Sequence, residues 1–344
     1  MMEIPGEYGS GSGTIVRLST AFSALTGKPI RITDIRAKRP NPGLRHQHLE
    51  AIRTIAKLCS ADIKGDEVGS KEIEFVPKKL KGGTFGVNIE TAGSIGLLSY
   101  AVLIPAIFGR EKTILNVNGG SIASLWSPPV TYLENVLLPV LSRMGIEAKF
   151  SIHKYGFYPE GGSLVDLEIS PVKEAKPLVM TDPGKVMKIE GLSIASESLR
   201  DRNVAERQIR GFQRILRKKT GVDIKPVYVK AHCPGSVFTV WAETTTGCLL
   251  AGDAVGERRK PSEVIGEEAA FKLKEEMEYG STVGEHLADQ LIPFMVLANG
   301  KSEIIAPSLT DHIKTNIWLC NKFLETKFET KEDGENFRIV CHGK

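Results

Sequence analysis

Thr91-Ala-Gly-Ser-Ile-Gly-Leu-Leu-Ser-Tyr-Ala-Val-Leu-Ile-Pro-Ala-Ile-Phe-Gly109 reads as a helix, and the elements after it decide the fold. Residues 113–117 (TILNV) have strand character, 128–144 (PPVTYLENVLLPVLSRM) have helical spacing, and strands are expected around Phe150 and Leu164. Upstream, the same order of helix, strand, helix, strand, strand is already present. A helix in which Leu18, Ala21, Phe22 and Leu25 share a face stops at Gly27 and Pro29, and the strand IRITDI comes next. After the loop 36–48 (RAKRPNPGLRHQH) come a helix with Leu49, Ile52, Ile55 and Cys59 on one side and a strand pair ending at KEIEFVP. Two copies with a period of about 80 residues make this a repeat architecture.

A third copy starts near Val283: residues 283–300 form its first helix, SEIIA a strand, 311–325 its second helix, and KFET and FRIVCH the closing strands. It begins about 190 residues after the second, so roughly 110 residues are surplus to the repeat. Within that surplus the pattern predicts a strand (KIEGLSIA), a helix over 203–219, strands near Val227, Phe238 and Leu249, and a helix over 261–277. The expected organisation is therefore a main body, 1–185 with 280–344, built of three pseudo-symmetric α/β units about a pseudo-threefold axis. Residues 186–279 are expected to form a smaller inserted α/β domain.

Composition narrows the class. A chain of 344 residues that is 41% hydrophobic can bury one large core or two ordinary ones. Its longest apolar run, Ile95 to Phe108, is interrupted by Ser99, Tyr100 and Pro105, so no membrane span is expected and a cytoplasmic location is. Cys59, Cys233, Cys248, Cys320 and Cys341 are odd in number and never spaced C-x-x-C, which argues for buried thiols rather than disulfides or zinc. The net charge of +4 permits an anionic substrate without demanding one.

Several segments carry candidate chemistry. In 305–316 (IAPSLTDHIKTN), Pro307 ends a strand and Ser308 or Thr310 can cap the next helix, which places His312 in a first helical turn. The positive end of the helix dipole disfavours imidazolium there and keeps a ring nitrogen free as a nucleophile or base. The loop from Arg36 to His48 gathers Arg36, Lys38, Arg39, Arg45, His46 and His48 on a path fixed by Pro40, Pro42 and Gly43, as a phosphate site needs, although a solvated basic loop has the same composition. YGSGSG (8–13) opens onto a helix and offers backbone N–H groups to a phosphate, without the spacing of a Rossmann or P-loop site. Gly119-Gly120 leads to Trp126-Ser127-Pro128-Pro129, a rigid platform for a planar ring unless Trp126 belongs to the core. His286 and Asp289, with Gln290, lie beside another helix start. His48, Tyr132 and His312 hold comparable positions at the start of each unit's second helix.

Taken in order, RAKRPNPGLRHQHLEAI, TAGSIGLLSYAVL, WSPPVTYLENVLLPVL, YGFYPEGGS, GEHLADQLIPFMVLA and SLTDHIKTNIWL resemble the RNA 3′-terminal phosphate cyclase family over nearly the whole chain. That resemblance implies three βαβαββ units with an inserted α/β domain. It also implies a reaction in which ATP adenylylates a histidine, AMP passes to an RNA 3′-phosphate, and the vicinal 2′-hydroxyl closes a 2′,3′-cyclic phosphate with release of AMP. Carried over by motif, the nucleophile is His312. The nucleotide pocket includes Arg17, Pro128, His286, Asp289 and Gln290, and Arg36, Arg39, Arg45 and His48 handle the RNA end. A divalent metal, magnesium or manganese, is implied, with its protein ligands unassigned. The chain departs from the family pattern at Ser10, where the glycine-rich loop usually has a glutamate, at Tyr100 in place of a glutamine, and at Ser121-Ile122 in place of Thr-Asp. A reading of another class keeps the fold and basic loop in a catalytically weak or inactive RNA-binding or ribosome-assembly protein.

Overall fold

The computed structural model describes residues 1–216 and 221–343. Strand β1 (Met2–Pro5) leads into helix α1 (Gly13–Thr26), β2 (Ile30–Thr33), α2 (His46–Cys59), β3 (Asp62–Lys64) and β4 (Ile73–Val76). The second unit contains β5 (Gly83–Ser94), α3 (Ile95–Ala106), β6 (Thr113–Ser121), a helix in three parts, β7 (Ala148–Lys154) and β8 (Leu164–Ile169). Those parts are α4 (Val130–Tyr132), a π-helical turn (Leu133–Leu137) and α5 (Leu138–Ser142), where the sequence predicts one continuous helix. Pro139 has no N–H for the helical ladder and its ring crowds the carbonyl of Asn135, so the wide turn ahead of it relieves the clash.

Next come β9 (Val179–Met180), β10 (Val186–Ser196), α6 (Val204–Ile215), β11 (Val222–Val229), β12 (Ser236–Thr244), β13 (Leu249–Val255) and α7 (Ser262–Glu278). The chain ends with α8 (Glu285–Leu297), β14 (Lys301–Ala306), α9 (Asp311–Phe323), β15 (Lys327–Asp333) and β16 (Asn336–His342). The helix expected over 203–219 stops at Ile215, and residues 217–219 of that expectation lie outside the described residues.

Three sheets share one topology: β1-β2-β4-β3, β5-β6-β8-β7 and β9-β14-β16-β15. In each, the first two strands are parallel and the remaining pairs antiparallel, so each unit is βαβαββ and the fold is α/β. Residue pattern alone starts every unit one element late. Strands β1 and β9 have four and two residues, too few to show alternation. The pattern also carries the helix of the second unit back over the end of β5. Residues 91–94 are strand, and the Ser94 hydroxyl accepts from Leu97 N at 3.1 Å to start α3 at Ile95. Because β9 precedes the fourth sheet, the third unit begins before the surplus segment and is split by it, rather than starting at Val283.

The fourth sheet, β11-β10-β12-β13, packs α6 and α7 over an apolar cluster of its own that includes Ile189, Phe212, Phe238, Ile265 and Leu273. In the body, α1 packs on α2, α3 and α9, while the π-helical turn packs on α8, so every pair of units meets through helices. All five cysteines are buried free thiols. No helix of the described residues is long and apolar enough to cross a membrane.

Candidate functional site

Helix α9 begins where the chain leaves Pro307, and Thr310 rather than Ser308 caps it: its Oγ1 accepts from Ile313 N at 3.1 Å, worth about 1 kcal/mol. The Ser308 hydroxyl instead donates to Glu285 at 2.5 Å, tying the loop before α9 to the first residue of α8. One turn on, Asn316 Nδ2 donates to Asp289 O at 2.8 Å, which holds α8 and α9 side by side. His312 stands at this seam, half-buried. Burial lowers its pKa first, then the charges of Arg17, Arg39 and His286, with Asp311 opposing them. The shift favours the neutral imidazole, and desolvation and the two arginines act in the same direction as the positive end of the helix.

The glycine-rich loop of the first unit rests on the same helix. Tyr8 stacks on Trp318 with ring centroids 3.9 Å apart, and Ser10 N donates to Thr315 Oγ1 at 3.3 Å. Gly9 has φ +50, and a Cβ there would stand 2.3 Å from Thr315 Oγ1, so only glycine lets the loop seat this closely. Ser12 caps α1 by accepting from Thr14 N, and Arg17 stands on the next turn. Arg17 is buried, has no carboxylate partner among the described residues, and is pushed down to about 10 by burial and by Arg36, against Tyr100. An unpaired buried cation is held ready for an anion.

The basic loop is latched to that glycine-rich loop. Lys38 Nζ donates to Glu7 O at 3.0 Å and Arg39 Nη2 to Ser10 O at 3.1 Å. Arg36 turns inward, at φ +55, with Nη1 donating to Asn41 O (2.7 Å) and Gly43 O (2.9 Å), so it braces the loop's own path. Arg39 and Arg45 are exposed. His48 is only 2% exposed; its Nδ1 accepts from Arg45 N at 3.0 Å. Its Nε2 would lie 2.1 Å from a Cβ on Gly13. Burial, then Arg17, Arg36 and Arg45, push its pKa down to about 2, which fixes a neutral ring with its proton on Nε2.

The remaining candidates gather from the other side. Gly96, at the start of α3, takes the Pro128 carbonyl so closely that a Cβ would be 2.1 Å from it, and one turn later Tyr100 donates its hydroxyl to Gln290 O at 3.1 Å. His286 is exposed on the first turn of α8. Burial and the neighbouring Glu285 raise the Asp289 carboxyl to about 8. Gln290 Oε1 and Asn316 Oδ1 are buried acceptors without a hydrogen-bond partner among the described residues. Thus Arg17, Arg39, His286 and His312 share one electrostatic environment, Asp289 and Gln290 line its α8 wall, and His48 with Arg36 supports it from behind.

Sequence reasoning missed Thr315 and Asn316, which sit on the face of α9 turned toward the glycine-rich loop and α8. It also missed Glu276. That carboxyl, on α7, accepts from Ala251 N at 2.7 Å and lies against Gly284, where a Cβ would be 1.8 Å from Oε1. Burial, Asp253 and Glu285 raise it to about 8 despite the Ala251 bond. In sequence it stands in an acidic helix end that reads as solvated. No group of three or more His, Cys, Asp or Glu among the described residues is placed to hold a metal ion.

Residues 8–330 match the profile of a family described as RNA 3′-terminal phosphate cyclase. The chain is 45% identical to the RNA 3′-terminal phosphate cyclase of Pyrococcus abyssi, over 97% of this chain and 96% of that one. It is 42% identical to the protein of that name from Pyrococcus furiosus, over 99% of each, and 39% identical to that from Methanopyrus kandleri, over 97% of each.

Proposed function

Because the chain belongs to the RNA 3′-terminal phosphate cyclase family, we propose that it uses ATP to convert an RNA 3′-terminal phosphate into a 2′,3′-cyclic phosphodiester through an adenylylated His312. It is an enzyme of that family, and nothing in the site favours a non-catalytic RNA-binding role. The observation that carries the histidine's role is its setting: a half-buried imidazole, lowered by burial and by Arg17 and Arg39, at the capped start of α9.

In this reading a ring nitrogen of His312 attacks the α-phosphorus of ATP. The P–N bond forms, the bond to the bridging oxygen of pyrophosphate breaks, and the proton on the other ring nitrogen is released. An oxygen of the RNA 3′-phosphate then attacks the same phosphorus; the P–N bond breaks and the ring regains its proton. Finally the 2′-hydroxyl attacks the 3′-phosphorus, loses its proton, and AMP leaves. Each transfer is easier than the direct cyclisation.

The unpaired guanidinium of Arg17 is suited to the charge on the phosphates, and the exposed Arg39 and Arg45 to the RNA end. The acceptors Gln290 Oε1 and Asn316 Oδ1 suit an amino group or hydroxyl of the nucleotide, and Asp289, protonated near neutral pH, suits one of its acceptors. Pro128 and His286 complete the proposed pocket, and His48 acts through its hold on Gly13 and Arg45. A divalent ion, magnesium or manganese, would bind with oxygen ligands drawn mostly from phosphates and water, since the protein supplies no ligand cage among the described residues. Residues 186–279 are read as an inserted domain, and the protein as cytoplasmic.

The test is incubation with α-labelled ATP and magnesium or manganese, without RNA. Label that is acid-labile, alkali-stable and absent from His312→Ala is expected. A wild-type protein that takes no label with either metal would sink the proposal.

A further inference from the structure

Trp126 is 97% exposed, the most exposed large apolar side chain among the described residues, and it does not belong to the core. It also holds φ +58, a left-handed conformation costly for a bulky L-residue. Neither feature comes from a slack loop. Ser127 Oγ donates to Ser124 O at 3.0 Å and Ser124 Oγ to Ala92 O at 3.3 Å. Ile122 N bonds Gly156 O and Val130 N bonds Ile122 O, while Pro128 and Pro129 fix the exit. The backbone that carries the ring is thus braced on both sides.

This loop adjoins the site. The junction of β5 and α3 lies beneath it, through Ala92 O and the Pro128–Gly96 approach. On its other side, a Cβ on Gly93 would be 3.7 Å from Gln47, beside Arg45 and His46 of the basic segment. Away from the basic segment, Ala123 pairs with Phe157, whose neighbour Tyr158 is 59% exposed. Tyr155 pairs with Ala231, so the exposed Lys154 and Lys230 border that seam, with Glu160 near His232 as the opposing charge. The exposed Trp126 and Tyr158 thus stand on paired segments that also carry exposed lysines, the residue types that single-stranded nucleic acid stacks on and tracks along.

We propose that Trp126 is the stacking platform for a base close to the RNA 3′ end, holding the strand as it leaves the terminal phosphate. This rests on the cyclase reading for the identity of the strand. The rigid pedestal lowers the ordering cost of binding, and an indole face accepts any base, so the subsite sets affinity for the strand without selecting its sequence.

The experiment compares wild type, Trp126→Phe and Trp126→Ala on a short single-stranded RNA with a 3′-phosphate and on versions carrying one abasic residue at each of the last three positions. For Trp126→Ala, KM for intact RNA is expected to rise about tenfold or more, Trp126→Phe to stay close to wild type, and the difference to vanish on one of the abasic RNAs. Quenching of Trp126 fluorescence by the RNA, taken as the difference between wild type and Trp126→Phe, measures the same contact without turnover. Should the wild type neither label itself from ATP nor cyclise RNA, the cyclase reading fails, and the quenching still decides the stacking. An unchanged KM with no quenching overturns the proposal. So does a Trp126→Ala protein whose mass by light scattering shifts from dimer to monomer while its KM for RNA stays the same, since a second copy would then be what covers the ring.

Discussion

The second helices of the three units begin with residues in nearly the same place: His48 and Tyr132 are the third residues of α2 and α4, and His312 the second of α9. Their surroundings differ. The imidazole of His48 is sealed, with one nitrogen accepting from Arg45 N and the other against Gly13, while that of His312 is half-buried and faces Arg17, Arg39 and His286. Both rings are neutral, His48 almost unconditionally. Tyr132 is buried, its hydroxyl raised well above its ordinary range by burial and by Glu276, Asp253 and Asp289. One slot in a repeated fold therefore holds a sealed imidazole, a packed ring and the half-buried imidazole proposed as the nucleophile, and the distinction lies in what neighbouring units bring to it.

Substituting the two histidines is the strongest way to break that comparison. His312→Ala should abolish self-labelling from ATP while barely changing the denaturation midpoint. His48→Ala should do the reverse: label still forms, more slowly, while stability falls by about 1–3 kcal/mol because Arg45 N loses its acceptor and a buried space opens. Loss of label in both, with stability intact in both, would contradict the assignment of His48 as a brace.

The pH dependence of stability sharpens the same contrast. The folded pKa of His48, about 2, lies below the unfolded value near 6.5, so the unfolded state takes up a proton first as pH falls. Its contribution is complete above pH 6.5 and diminishes as pH drops toward 2. His48→Gln can keep an acceptor for Arg45 N but cannot titrate, so its stability should depend less on pH between 6.5 and 5 than that of wild type. Parallel curves by urea denaturation would show that His48 is not held neutral.

A smaller effect is expected where the basic loop meets His312. Arg39 contributes to the lowered pKa of that histidine, though less than burial and Arg17 do. Arg39→Ala should therefore move the acid limb of label formation to higher pH, since the imidazole more readily takes a proton once that charge is gone. The salt dependence of RNA binding should also flatten, by about 0.7 in the log–log slope for one lost phosphate contact on a single strand. An unmoved acid limb would separate Arg39 from His312.

Much of this was legible in the sequence because helical spacing and the Pro307–Thr310 cap are local signals. The repeat and the place of His312 at a helix start come from them, and the path of the basic loop from Pro40, Pro42 and Gly43. What stayed hidden depends on partners far away in the chain. Nothing around Glu276 reveals that it packs on Gly284, and nothing around His48 reveals that Gly13 closes over it. The π-helical turn comes from Pro139, a signal present in the sequence but outweighed there by the continuous apolar spacing. Trp126 is ambiguous in sequence for a similar reason: exposure is set by neighbouring loops, and no periodicity extends through its glycine- and proline-bounded segment.

Tyr132→Phe gives the smallest expected change and the most direct check that the middle position is packing alone. The ring is buried against the body and the acidic side chains of α7 and β13, so Phe keeps its volume and apolar contacts. The hydroxyl remains protonated, and no hydrogen bond from it contributes among the described residues. Stability should stay within about 0.5 kcal/mol of wild type, and label formation should be unchanged across the pH range. A displaced pH profile would instead mean that this hydroxyl, which feels the charges of Glu276 and Asp289, communicates with α8, and Tyr132 would then belong with His48 as a brace.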